Sequence, residues 1–154
     1  MNCYVLYCQS YKIENLCQRF NQKEGIEAFI PQIEKHLHST NELVLKPLFP
    51  GYLFIKTKMK EEKNGVIREL KKDDVSALTK DEIHLLKLLL NEQYILKMSK
   101  GYKQTNKTII IEGPLKQLQE HIISVNKREH FAILNIEFLN RRIKAGIEMQ
   151  DKEI

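Results

Sequence analysis

Two prolines frame a Leu-Phe pair at positions 47–50, and a glycine then opens the run Gly51-Tyr52-Leu53-Phe54-Ile55. Proline fixes φ and pushes the residue before it towards extended geometry, so Lys46 and Phe49 are expected to be extended. Pro50-Gly51 reads as a tight turn. Tyr52 to Ile55, aromatic and β-branched, reads as a strand. Side chains alternate across a strand, so Tyr52 and Phe54 share one face and Leu53 and Ile55 the other. One face can enter a core, while the two aromatics need a helix or a partner to cover them. Periodicity alone favours the plainer reading, a strand buried on both sides.

The rest of the chain supplies what such a strand packs against. Residues 2–8 hold Tyr4, Val5, Leu6 and Tyr7 in succession, as in a central strand covered on both faces. Over residues 11–23, Ile13, Leu16, Cys17 and Phe20 recur at helical spacing and form one apolar stripe. Lys12, Arg19 and Lys23 line up along its flank, as a solvated edge or as a phosphate-facing stripe. Gly25 is a helix stop. Ile26 to Ile33 reads as a second strand, with Pro31 placing it at an edge or bulge. Residues 34–46 read as a polar hairpin tip, and residues 59–70 as a weak surface helix. Thr79-Lys80-Asp81-Glu82 is a capping box. The leucine-rich stretch after it forms a helix with a wide apolar face.

Near residue 93 the period changes to two. Residues 108–111, 121–125, 131–138 and 142–147 read as strands, with hairpin turns at 126–129 and 139–141. Asn140 suits the left-handed conformation that a tight turn needs. Such a run of short strands indicates a small β-barrel, with a domain boundary at about residue 92. The composition of residues 108–111 and 131–136 is strongly β, so the barrel is expected to stay a barrel.

Charge follows the same division. The 154-residue chain carries net +5, of which +1 lies in residues 1–92 and +4 in residues 93–154. A basic excess in a short segment suits an anionic partner such as RNA, DNA or a ribosome, or simply a solvated face. No apolar run approaches the length of a membrane span, and the first residues, without a basic start or an apolar run with a small-residue cleavage site, are not expected to be a signal peptide. The three cysteines suit reduced thiols, so a cytoplasmic location is expected, with no membrane partner.

Catalytic motifs are absent: there is no nucleophile elbow, P-loop, dinucleotide fingerprint or zinc-spaced cysteine pair. His36 and His38 would share a strand face, but no cysteine or acidic partner stands at ligand spacing. No enzyme activity, metal or cofactor is expected.

Two separated stretches resemble the NusG family of transcription elongation factors. The first runs from Tyr4-Val5-Leu6-Tyr7-Cys8 through Phe29-Ile30-Pro31 to Leu48-Phe49-Pro50-Gly51-Tyr52-Leu53-Phe54-Ile55, and it is similar to the N-terminal NGN domain. The second, from Ile111-Glu112-Gly113-Pro114-Leu115 to Phe138-Leu139-Asn140-Arg141-Arg142, is similar to a KOW domain. The resemblance implies an α+β protein. An NGN α/β sandwich with an antiparallel sheet (1–92) would precede a five-stranded, SH3-like KOW β-barrel (93–154).

By the same resemblance, the NGN domain docks on the clamp helices of RNA polymerase, with Tyr7, Tyr52 and Phe54 at the matching positions. The basic stripe is closer to the specialised branches represented by RfaH and LoaP, which implies processive antitermination. Lys12, Arg19 and Lys23 would then meet non-template DNA or nascent RNA. In the barrel the nucleic-acid candidates are Lys97, Lys100 and Lys103 before its first strand, Lys127 and Arg128 in one turn, and Arg141, Arg142 and Lys144 in another. Rho or a ribosomal protein is the partner type implied for the KOW domain, and a monomer is expected. The alternative is an RNA- or ribosome-binding KOW module that does not dock on polymerase.

Overall fold

Phe49-Pro50-Gly51-Tyr52 forms a β-turn in which the Tyr52 N–H donates to the Phe49 carbonyl at 3.1 Å. Proline presets the first central φ, and Gly51 takes φ +87° at the second, the requirement of a type II turn. The turn launches β5 (Tyr52–Thr57). A computed structural model, which describes residues 2–37, 39–57 and 75–151, places β5 inside a four-stranded antiparallel sheet. Its neighbours are β1 (Asn2–Tyr7), paired from Asn2↔Thr57 to Tyr7↔Tyr52, and β2 (Ile26–Phe29), paired from Ile26↔Thr57 to Phe29↔Phe54. β6 (Val75–Ala77) lies on the outer side of β1. The chain is a mixed α/β protein. The expected surface helix at 59–70 lies outside the described residues.

Contacts divide the chain into two compact units, Met1–Pro31 with Pro47–His84, and Gln32–Lys46 with Leu85–Ile154. In the first, α1 (Ser10–Asn21) covers one face of the sheet. Ile13 and Phe20 of the helix pack with Ile26, Ala28, Leu53 and Ile55, with Leu6, Leu16, Cys17 and Ile30 around them. Each large apolar side chain enclosed here contributes roughly 1.5–3 kcal/mol. The helix ends at Asn21, whose side chain completes the sheet edge. Its Oδ1 accepts from the Ala28 N–H at 2.7 Å and its Nδ2 donates to the Ala28 carbonyl at 2.9 Å. That amide takes the place of a strand neighbour for β2, the last strand on its side of the sheet among the described residues. The helix is two residues shorter at its C-terminus than its pattern suggested, so Lys23 lies beyond it.

Cys3 is buried on β1. Burial pushes its thiol up to about 11, against the opposing pull of Lys56. An unfolded thiol ionises near 9, so between pH 9 and 11 the unfolded chain loses this proton while the folded chain keeps it. Stability is therefore expected to fall across that window, with the contribution fully present below it. Denaturant melts at pH 8, 9.5 and 11 would show a steeper decline for wild type than for Cys3→Val.

The expected single strand 26–33 is broken. Pro31 contributes no N–H, and its carbonyl instead accepts from the Leu48 N–H at 2.9 Å. The chain therefore leaves the first sheet at β2 and enters another at β3 (Gln32–Leu37), which forms a hairpin with β4 (Glu42–Pro47). The three-stranded sheet runs β4-β3-β7, with β7 (Ile95–Leu96) parallel to β3. Glu34 of β3 is tied down from two sides. One carboxylate oxygen accepts from the Met98 N–H at 2.8 Å, and the other meets Lys97 Nζ at 3.0 Å. Burial raises the Glu34 pKa, but these contacts outweigh it and leave the carboxyl below its ordinary range.

α2 (Lys80–Leu89) starts with the capping box that its sequence specified. The Thr79 N–H donates to Glu82 Oε1 at 2.8 Å, and the Glu82 N–H donates to Thr79 Oγ1 at 3.2 Å. Beyond it, a five-stranded sheet runs in the order β10-β11-β12-β8-β9. The strands are β8 (Ser99–Gln104), β9 (Lys107–Glu112), β10 (Ile122–Asn126), β11 (Phe131–Phe138) and β12 (Arg141–Met149). Leu115, Leu118, Leu134, Phe138, Ile143 and Ile147 fill its core.

Between β9 and β10 lies a 3₁₀ helix (Pro114–His121) that covers an edge: Gln119 Oε1 accepts from the Ile110 N–H at 2.6 Å. Gly113 starts this helix at φ +107°, where a Cβ would sit 2.5 Å from Ser99. The Ser99 hydroxyl is the acceptor for the Leu115 N–H at 3.0 Å. Both Leu139 (φ +53°) and Asn140 (φ +63°) are left-handed in the β11–β12 hairpin, as a two-residue type I′ turn demands.

Candidate functional site

Tyr7 and Tyr52 face each other as cross-strand partners at the end of the β1–β5 ladder. Their rings meet edge to face, with centroids 5.2 Å apart and planes at 66°. The turn beneath them fixes this geometry. The Cys8 N–H donates to the Gly51 carbonyl at 2.7 Å. A Cβ on Gly51 would lie 2.9 Å from Tyr7 Cε1. Glycine thus serves twice here, for the positive φ and for the space under the ring. Tyr7 remains 54% exposed and Tyr52 is half-buried. An amphipathic ring pair on a rigid two-stranded platform gives a binding surface large contact area at little entropic cost.

Phe54 departs from the expectation of an outward ring. It is on the same strand face as Tyr52, but it is 0% exposed. Phe29 stacks on it at 5.5 Å with planes at 22°, and Phe49 meets it at 5.8 Å. β2 delivers Phe29 directly opposite Phe54, and the bend between the two prolines folds Phe49 back onto it. Phe54 therefore backs the platform and presents no surface of its own. Tyr11, in the first turn of α1, is not among the residues that the sequence motifs single out, yet it is 76% exposed with Lys12 Nζ 5.5 Å from its ring centre. Its signal was a large aromatic off the apolar stripe of that helix.

The basic candidates separate by what they already touch. Lys12 and Arg19 are exposed on α1, seven residues apart and so on one face. Lys23 is half-buried, with its ammonium 5.5 Å from the Phe20 ring centre. Lys97 is paired with Glu34, Lys100 with Glu112 at 3.4 Å, and Lys127 with Asp151 at 3.7 Å. The last two pairs are exposed, so solvent screens them and they release their lysines readily. Lys144 lies over the Phe131 ring at 5.0 Å.

Several expected positions shift. Lys100 and Lys103 are on the first strand of the five-stranded sheet, not before it, because β8 begins at Ser99. Arg141, Arg142 and Lys144 belong to β12, since the hairpin turn is only Leu139-Asn140. Arg142 stands across the ladder from Glu137. Arg128 keeps its place in the β10–β11 turn and is exposed.

A cavity of about 390 Å³ opens beside this sheet, with Lys103, Asn106, Lys107, Ser124 and Ile123 among its lining residues and Glu120 in the same wall. No cluster of three or more metal-ligating side chains occurs among the described residues. His36 does meet another histidine, His130, with ring centres 3.9 Å apart, while His38 lies outside the described residues. No helix among the described residues is long and apolar enough to cross a membrane.

Residues 1–87, more than half of the chain, match the family model described as transcription termination factor nusG. No curated protein matches the chain.

Proposed function

The chain belongs to the NusG family of transcription factors, and on that footing we propose that it binds RNA polymerase during elongation and modulates pausing and termination. The observation that carries this reading is the Tyr7–Tyr52 pair, Tyr7 exposed and Tyr52 half-buried, on the glycine-supported end of the first sheet. In this reading residues 1–92 act as the NGN domain. Its two tyrosines fill a hydrophobic depression on the clamp helices while Phe54 stiffens the strand behind them. Binding that favours the closed, elongating polymerase over the open, paused one shifts pausing without any bond chemistry. A coupling of about 1–3 kcal/mol changes pause occupancy several-fold or more.

Lys12 and Arg19 on α1 supply phosphate contacts to non-template DNA or nascent RNA, which hold the factor in register as a specialised processive antiterminator. Residues 93–154 act as a KOW barrel that recruits Rho, a ribosomal protein or RNA. A second reading draws on the cavity with Lys103 and Lys107: an RNA- or ribosome-binding module that works without polymerase. Recovery on the tagged full chain separates the two. The first predicts core polymerase in the bound fraction, retained after nuclease treatment. Ribosomal RNA without polymerase would replace it with the second. Phosphate contacts through α1 predict a nucleic-acid affinity that falls steeply as salt rises.

A further inference from the structure

Strand β4 (Glu42–Pro47) is the outer strand of its sheet, and its far edge pairs with no strand among the described residues. Natural edge strands usually carry charges or bulges that deter pairing. The centre of β4 instead holds Leu43 (53% exposed) and Leu45 (47% exposed), two residues apart and so on one face, with Val44 half-buried on the other. The order Glu42-Leu43-Val44-Leu45-Lys46 is self-complementary. We propose that β4 is a self-association edge, which pairs antiparallel with β4 of a second copy of this chain about a two-fold axis at Val44.

In that register Glu42 stands opposite the partner's Lys46 at both ends of the ladder, and Leu43 stands opposite the partner's Leu45. Four leucines close over one face, and two opposite-charge pairs flank the two valines on the other. A parallel pairing in register would set Glu42 against Glu42 and Lys46 against Lys46. An antiparallel shift of two residues in either direction leaves both charges without their counterparts and sets one of them against Val44. The ladder is bounded on both sides. Pro47 has no N–H to donate, and Asn41 turns away at φ +58°. The interface is isologous, as a two-fold dimer requires, and the two sheets fuse into one of six strands. This departs from the monomer expected from the sequence. It is independent of polymerase docking, because no residue of the tyrosine platform takes part.

Sedimentation equilibrium of the full chain tests it. A five-residue ladder is a small interface, so dimerisation is expected at a dissociation constant on the order of 100 μM or tighter. Glu42→Lys and Lys46→Glu each place like charges opposite one another at both ends and should weaken the dimer about tenfold. The two single variants mixed should form a heterodimer of wild-type strength, because each then meets its opposite. The double exchange Glu42→Lys/Lys46→Glu should also restore dimerisation. Circular dichroism melts confirm that these exposed changes leave the fold intact. A wild type monomeric up to millimolar concentration would overturn the proposal, as would a dimer indifferent to both single changes or a mixture that fails to recover.

Discussion

Tyr7→Ala/Tyr52→Ala is expected to weaken binding to core RNA polymerase by about 100-fold or more while leaving the protein folded. Central aromatic anchors of an interface each contribute about 2 kcal/mol or more on truncation, and two together exceed the tenfold steps that rim residues give. The loss should appear mainly in the dissociation rate, since neither ring carries charge that steers encounter. Tyr7 is more than half exposed. Tyr52 is half-buried and, like Tyr7, is not part of the buried core, so removing both rings opens no enclosed cavity and the melting temperature should move little. Surface-immobilised polymerase titrated with each variant gives both rates. Tyr7→Phe and Tyr52→Phe keep the edge-to-face contact and should retain most of the affinity, which separates a role of the rings from one of the hydroxyls.

Phe54→Ala is expected to cost about 3–5 kcal/mol of folding stability, the range for truncating an enclosed phenylalanine. Its ring is fully buried between Phe29 and Phe49, and β5 is paired on both sides, so the neighbourhood can collapse only in part. For a chain of this length such a loss lowers the melting temperature by about 10 °C. Denaturant unfolding at fixed pH checks the size of the effect. Phe54→Leu should recover more than half of the loss by refilling the volume. A polymerase defect in Phe54→Ala would then follow from a softened platform and should shrink at low temperature. The defect of the tyrosine variant should persist.

Features set by neighbours in the chain were legible from the residues alone. Thr79 and Glu82 stand three apart and cap one another, so nothing distant is needed to know their roles. Pro50-Gly51 fixed the turn, and the period of Ile13, Leu16, Cys17 and Phe20 fixed the inner face of α1. Features set across the fold were not. Alternation placed Phe54 beside Tyr52 but gave no sign that Phe29 and Phe49 would enclose one and leave the other half open. The Asn21 side chain closes on Ala28 seven residues away, through two hydrogen bonds that no propensity anticipates.

Pro31 reads from the sequence as an edge or bulge, whereas in the fold it ends one sheet before the next begins. Residues 34–46 read as polar because charges surround Leu43, Val44 and Leu45, and the strand that these three form emerged only with its partner β3. Nor does the sequence tell a lysine free to meet phosphate from one held by Glu34, Glu112 or Asp151. Glu112 is brought opposite Lys100 by the β8–β9 pairing, and Glu34 and Asp151 reach their lysines from far along the chain.

Action on elongating polymerase through the tyrosine platform can be read from in vitro transcription. The template carries an intrinsic terminator behind a long leader, and read-through is measured with wild type and with Tyr7→Ala/Tyr52→Ala at equal folded concentration. Wild type is expected to change read-through several-fold, and the folded double variant to leave it at the level of polymerase alone. Equal effects from wild type and double variant would contradict action through that platform.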